Sequence, residues 1–167
     1  MKEIIIDLKN YIENGTVFKR EASRGIIEQN GKYLIIHSKY GDYKFPGGGQ
    51  KSGETLEETL VREVKEETGY VVISQSIREA IMCYEKRKGD PDDLLEMKSY
   101  YFYCEVEDVI HNRMLDDYEK EYDYQVEWMT LEEIIERNEA VENFGNIPWV
   151  VRENMVMKEI LKNKGTL

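Results

Sequence analysis

The run GGQKSGETLEETLVREVKEETGY, from Gly48 to Tyr70, constrains this chain more than any other stretch. Thr55 followed by Glu58 is a capping box that opens a helix, and Gly69 suits the helix's C-terminal stop. The spacing therefore predicts a helix over 55–68. At about 100° per residue, Leu56, Leu60, Val61 and Val64 form one apolar stripe. Glu63 and Glu67 are four apart at the edge of that stripe, and Glu66 is beside them. Like charges at this spacing destabilise a helix, so something positive should compensate. Hard divalent cations with oxygen ligands do this, and Mg²⁺ typically joins a few carboxylates to substrate phosphates. The competing reading is a solvated acidic face, the default for a charge run.

The segment before the helix, Tyr43-Lys44-Phe45-Pro46-Gly47-Gly48-Gly49, ends a strand and turns sharply. Consecutive glycines permit close backbone approach to a ligand, their carbonyls facing a metal and their N–H groups a phosphate. An ordinary flexible turn is the alternative. Glu54 and Arg62 are expected to pair and fix the geometry of the glutamates. Arg62 itself is expected to point about 100° away from Glu63 around the helix.

Together these residues resemble the Nudix box, G-x5-E-x7-R-E-U-x-E-E-x-G-U, where U is a bulky apolar residue. Gly48, Glu54, Arg62, Glu63, Glu66, Glu67 and Gly69 fill its fixed positions, and Val64 fits the first U. Tyr70 at the last U departs mildly by being aromatic. So many constrained positions are far more specific than a lone glycine-rich loop. The resemblance implies an α/β fold, a Nudix-like α/β/α sandwich with a mixed β-sheet and a loop–helix–loop motif. In order of elements it covers roughly residues 22–137.

Nudix enzymes typically use Mg²⁺ or Mn²⁺ to hydrolyse a nucleoside diphosphate linked to another group. Carried over by position, Glu63, Glu66 and Glu67 would be metal-binding carboxylates and the Gly48 carbonyl a further ligand. Arg62 would join them in the catalytic set. Clustered metal neutralises the anionic diester, activates water and stabilises the leaving oxygen. Many members borrow another carboxylate from the loop before a Trp-hydrophobic pair, here Trp128-Met129. Glu121 is the first candidate and Glu119 the second; Glu127 also reads as an outward strand residue. The substrate side is less specified. Lys39 and Lys44, near the glycine loop, could meet phosphate, as could His37; Tyr84 could stack on a base. Tyr40, Tyr43 and the Tyr100–Tyr103 run are further stacking candidates, though alternating members of that run read equally as core.

Markers of three subfamilies are absent, including the proline associated with ADP-ribose hydrolases; Glu85 stands there and Pro91 comes later. The expected substrate is thus a generic nucleoside diphosphate derivative, with (d)NTPs preferred. The alternative is a Nudix-like sensor or regulatory binding module without hydrolysis. Such a module is expected to lose metal carboxylates or carry a basic DNA-binding extension. Here all three glutamates remain and neither flank is strongly basic.

The 167 residues read as a single domain, with residues 1–20 a short extension of uncertain structure. A net charge of −11 argues against nonspecific binding to nucleic acid or anionic membrane. Cys83 and Cys104 lie in apolar contexts, which suits free thiols and a cytoplasmic location. No apolar stretch approaches membrane-spanning length. The expected partner is a small molecule, and a homodimer is compatible with the sequence. Strands are expected at Arg24–Glu28, Lys32–Ser38, Val71–Ser74, Ile77–Tyr84, Lys98–Val106 and Gln125–Met129, with Tyr118–Tyr124 a polar loop. Thr130 and Glu133 cap a second helix to about Arg137, and Pro148 opens a C-terminal helix over 148–163.

Overall fold

A computed structural model describes residues 1–165. Its centre is a five-stranded mixed sheet in the order β1-β8-β9-β2-β6. The strands are β1 (Lys2–Asp7), β2 (Val17–Ile26), β6 (Gly47–Gly49), β8 (Arg78–Lys88) and β9 (Leu94–Tyr103). β1 and β8 are parallel, as are β2 and β9, whereas β8/β9 and β2/β6 are antiparallel. A second, antiparallel sheet joins β3 (Glu28–Gln29), β4 (Lys32–His37), β5 (Tyr43–Lys44) and β11 (Gln125–Met129). A small ladder pairs β7 (Tyr70–Val72) with β10 (Val106–Ile110). The helices are α1 (Leu56–Thr68), α2 (Asp117–Glu121), α3 (Leu131–Glu139) and α4 (Pro148–Lys164). The α/β sandwich with a mixed sheet is therefore present.

α1 packs on one face of the central sheet. Leu60 and Val64 are buried with Phe102, Val72 and Leu34, and they crowd Gly25 of β2, where a side chain would meet both. α3 and α4 cover the other face, where Tyr101, Phe45, Ile134, Val156, Met157 and Ile160 share a core. β4 serves both cores, because successive strand side chains point to opposite faces. Tyr33 and Ile35 join the α3/α4 core and Leu34 joins the α1 core.

Three expectations need correction. Residues 1–20 are not merely an extension: β1 forms an edge of the central sheet and β2 begins at Val17, seven residues before Arg24. This first half of β2 is exposed, with Val17 and Phe18 followed by three charged residues, so it shows no apolar alternation. The β8–β9 pair runs four residues further than expected at each end of its turn, through Lys88 and back from Leu94. Tyr118–Tyr124 is not all loop. Asp116 and Glu119 form a capping box that opens α2.

Candidate active site

The site grows from the turn between β6 and α1. Thr55 and Glu58 bond reciprocally, at 3.1 and 2.9 Å, and Gly69 closes the helix in the left-handed conformation. The helix thus starts and stops at fixed residues, and Glu63, Glu66 and Glu67 fall on its loop-facing side. A Cβ on Gly48 would lie 2.5 Å from the Glu63 carboxyl carbon, so a side chain there would push that carboxylate out of its place beside Arg62. The loop backbone and the Glu63 carboxylate therefore form one cradle.

Glu54 anchors the arrangement. It accepts from Arg62 Nε at 2.5 Å, Arg62 Nη2 at 2.9 Å, the Lys51 N–H at 3.0 Å and the Thr59 hydroxyl at 2.8 Å. The Arg62 bond, helped by the others, holds its pKa down at about 2. Arg62 also donates to the Gly49 carbonyl at 3.1 Å, Glu63 at 2.6 Å and Glu66 at 3.3 Å. It does not point away from Glu63, because the long guanidinium folds along the helix surface and forks between the loop and two carboxylates.

Glu67 is buried and accepts the Gly47 N–H at 2.9 Å. Burial pushes its pKa well above the carboxylate range; the Lys44 charge opposes this, and the neighbouring Glu119 adds to it. Burial also raises Glu63, against the pull of Arg62 and with Glu66 and Glu119 adding repulsion. Lys44 is half-buried and donates to the Tyr124 hydroxyl at 2.7 Å, its Nζ 4.5 Å from the ring centre. Burial lowers its pKa, with Glu67 opposing.

Glu119 comes to the cluster, and Glu121 does not. Glu119 is buried on the inner side of α2, while Glu121 is exposed at the helix end. α2 turns positions 119 and 121 about 200° apart, so only one can face Glu67. Glu127 sits outward on β11, 3.4 Å from His37 Nε2, and His37 stacks on Tyr43. Lys39 is exposed beside Tyr40. Tyr101 is wholly buried and belongs to the core. Tyr70, the departure at the motif's end, packs edge-on against Trp128 and accepts its indole N–H at 3.3 Å.

The residues suit a divalent cation by charge: burial and crowding raise the pKa of Glu63 and Glu67, and Glu119 presses on both. Among the described residues, though, no three acidic, histidine or cysteine side chains are grouped so that they could hold a metal ion. Arg62 instead holds Glu63 and Glu66 as ion pairs, and the Gly47 N–H holds Glu67.

One cavity borders the end of the loop and a second lies at the β8–β9 turn. The first, of about 650 Å³, is lined by Lys19, Gln50, Lys51, Tyr84, Glu96 and Lys98 among others, and so includes Tyr84. The second, of about 430 Å³, is lined by Arg87, Lys88, Asp90, Leu95 and Met97. Phe18 and Arg20 border both. No described helix is long and apolar enough to cross a membrane. Cys83 and Cys104 are free and buried, which pushes both thiols up to about 12.

The chain is 39% identical over 71 residues to a protein from Methanocaldococcus jannaschii named ADP-ribose pyrophosphatase, a match spanning 40% of either protein. A NUDIX hydrolase structure from Nitrosomonas europaea aligns with TM-score 0.59 at 19% identity, covering 81% of this chain and 88% of that one. A mutator MutT protein structure from Bacillus halodurans aligns with TM-score 0.54 at 22% identity, covering 70% and 72%. These structures speak to the fold. The family model for the NUDIX domain matches residues 19–150, from the first half of β2 to the start of α4, with the whole motif inside. The chain belongs to the NUDIX domain family.

Proposed function

We propose that this protein is a metal-dependent pyrophosphohydrolase that cleaves a nucleoside diphosphate linked to another moiety. The observation that carries the reading is the gathering of Glu63, Glu67 and Glu119 against the Gly47–Gly48 turn, where burial and mutual repulsion leave a deficit of positive charge. Glu63, Glu66, Glu67 and the Gly48 carbonyl would hold Mg²⁺ or Mn²⁺. The cation supplies charge neutralisation and an activated water.

The chain's own residues do the rest. Arg62 ties Gly49, Glu54, Glu63 and Glu66 into one unit, so loop and helix keep their register. Burial favours the protonated form of Glu67, so cation binding would be coupled to loss of that proton. Glu119, buried on the inner side of α2, would accept the proton of the attacking water. Attack forms a phosphorus–oxygen bond, and the bridging bond to the leaving phosphate breaks with its electron pair on oxygen. Lys44, held by Tyr124, offers positive charge beside Glu67 as negative charge shifts.

Within this class a nucleoside triphosphate is the first reading. Supporting it are four cations, Lys19, Arg20, Lys51 and Lys98, against two carboxylates, Glu21 and Glu96, around the cavity at the end of the loop, where the phosphates beyond the cleaved bond could extend from Arg20, in a chain of net charge −11. A nucleoside diphosphate sugar is the second reading, favoured by the similarity to the protein named ADP-ribose pyrophosphatase. The test is a panel of (d)NTPs and nucleoside diphosphate derivatives with Mg²⁺, Mn²⁺ or chelator. Nucleoside monophosphate should appear only with metal. Turnover in chelator refutes the metal role. Folded protein that turns over nothing in the panel leaves the binding-module alternative.

A further inference from the structure

Arg20 stands out because its guanidinium has no hydrogen bond or ion pair among the described residues. It lies flat beside the loop: a Cβ on Gly49 would be 3.0 Å from Arg20 Nη2 and 3.1 Å from Nε. Arg62 holds the same glycine through its carbonyl. Arg20 is also within electrostatic reach of Glu63 on α1 and Tyr118 on α2, the two helices that bear the carboxylates. Loss of water and the neighbouring Arg24 charge both disfavour its charged form. An anion beside Gly49 would relieve both, and a planar fork next to a pyrophosphate-cleaving centre matches phosphate oxygens.

The two cavities that meet at Arg20 lie on opposite faces of the sheet. Glu96 and Lys98 of β9 line the larger, and Leu95 and Met97 line the smaller. The larger shares the α1 face, since Ser23 and Tyr100 are paired two positions further along and Ser23 Oγ donates to the Leu56 carbonyl at 2.7 Å. The smaller shares the face of Arg24, whose guanidinium is 3.7 Å from Glu153 of α4. Arg24 pairs with Gly47, where a Cβ would lie 2.9 Å from Arg24 Cγ, and the Gly47 N–H is the one Glu67 accepts at 2.9 Å. The face of the smaller cavity is therefore the one on which Arg24 meets the turn that holds Glu67.

That cavity has the chemistry of a nucleobase seat. Leu95 and Met97 make an apolar floor, and Phe18, 52% exposed, stands at its rim. Arg87 lines it with a buried Nε that has no hydrogen-bond partner, and Asp90 offers acceptors on the β8–β9 turn. Its volume of about 430 Å³ lies within the range of small-molecule sites, about 300–1,000 Å³.

We propose that the nucleoside end of the substrate occupies the cavity at the β8–β9 turn, stacked on Phe18, and that Arg20 grips the phosphate joining it to the cleaved bond. This rests on the pyrophosphohydrolase reading of the carboxylate cluster and assigns the direction in which the substrate lies. Tyr84, in the other cavity, is then not the stacking residue.

The test is calorimetric binding with Mg²⁺, using the α,β-methylene analogues of ADP, GDP, UDP and CDP and methylenediphosphonate as the base-free control. The wild type should bind at least one nucleoside analogue about tenfold or more tighter than methylenediphosphonate. Phe18→Ala should remove most of that advantage and leave methylenediphosphonate unchanged, while Phe18→Tyr keeps it. Arg20→Met should weaken both ligands by about tenfold or more. Both side chains are exposed, so the variants should melt like the wild type. The proposal is overturned if Phe18→Ala and Arg20→Met bind all probes as the wild type does. It is also overturned if Tyr84→Ala erases the advantage, or if no advantage exists. Binding as described without turnover of any hydrolysable substrate keeps this subsite and removes the hydrolase reading.

Discussion

Arg62 on α1 and Arg152 on α4 each hold several carboxylate or hydroxyl partners, yet they serve different ends. The Arg62 side chain is 20% exposed and binds Glu54, Glu63 and Glu66 at the rim of the candidate site. The Arg152 side chain is 3% exposed. It donates to Glu85 at 2.9 Å, Tyr101 Oη at 3.1 Å and Glu153 at 3.3 Å. Glu153 in turn accepts the Phe45 N–H at 3.1 Å, two residues before the glycine turn. The outer network keeps reactive groups in register where water and ligand enter. The inner one closes the space between α4 and the sheet, where no charge can be left without a partner.

Breaking the inner network should cost the most. Arg152→Ala leaves buried Glu85 with only the Arg87 ion pair at 3.9 Å and buried Glu153 with Arg24 at 3.7 Å as its remaining cation, and the expected loss of stability is roughly 3 kcal/mol. Denaturant unfolding measures it; a loss below about 1 kcal/mol would mean that the pocket takes up water or relaxes. The outer network should show the opposite balance. Glu67→Gln keeps an acceptor for the Gly47 N–H and removes a carboxyl that burial already opposes. Stability should hold or rise, while turnover falls by at least about a hundredfold because a neutral amide binds a hard cation poorly. Near-wild-type turnover at saturating metal removes Glu67 from the metal set.

The same contrast explains what the sequence could reveal. The outer network is written within nine residues of chain from Glu54 to Arg62 and the helical turn that follows, so spacing shows the Glu54–Arg62 pair, though not that Arg62 folds back onto Glu63, Glu66 and Gly49. The inner one joins residues from β2, β8, β9 and α4, and no local pattern links Arg24, Glu85, Tyr101, Arg152 and Glu153. Glu85, which in the sequence merely occupies the position of the ADP-ribose-hydrolase proline, is a buried partner of Arg152. α1, α3 and α4 were legible from caps and periodicity. The first half of β2 was not, since its exposed residues follow no buried stripe, and Arg20 and Phe18 went unnoticed with it. The substrate side was the least legible because a cavity is made by distant strands.

Between the two networks stands Glu119, buried beside Glu67 but carried by a five-residue helix. Glu119→Gln should lower turnover by about tenfold or more, whereas Glu121→Gln, altering an exposed side chain, should leave it within about twofold of the wild type. Affinity should be largely kept in both. If raised Mg²⁺ restores the Glu119→Gln rate, the residue supports the cation and is not the proton acceptor. If Glu121→Gln is the crippled variant, α2 turns differently in the working enzyme.

The smallest effect tests the outer network's own electrostatics. Glu54 is held at about 2, against its ordinary value of 4.5, first by its hydrogen bond to Arg62. A depressed carboxyl contributes stability that is fully present above the ordinary value and is lost as pH falls through the folded one. The contribution should thus fade between 4.5 and about 2. Glu54→Gln should melt a few degrees, about 2–4 °C, below the wild type near neutral pH, a gap in keeping with a partly exposed pair. That gap should narrow steadily once the pH drops below the ordinary value, because Glu54 of the unfolded chain takes up a proton there while the folded carboxylate stays ionised down to about 2. A gap that stays constant to about pH 3 would show that Arg62 does not hold the Glu54 charge. The inner network would then be the only one of the two in which an arginine's charge contributes to stability.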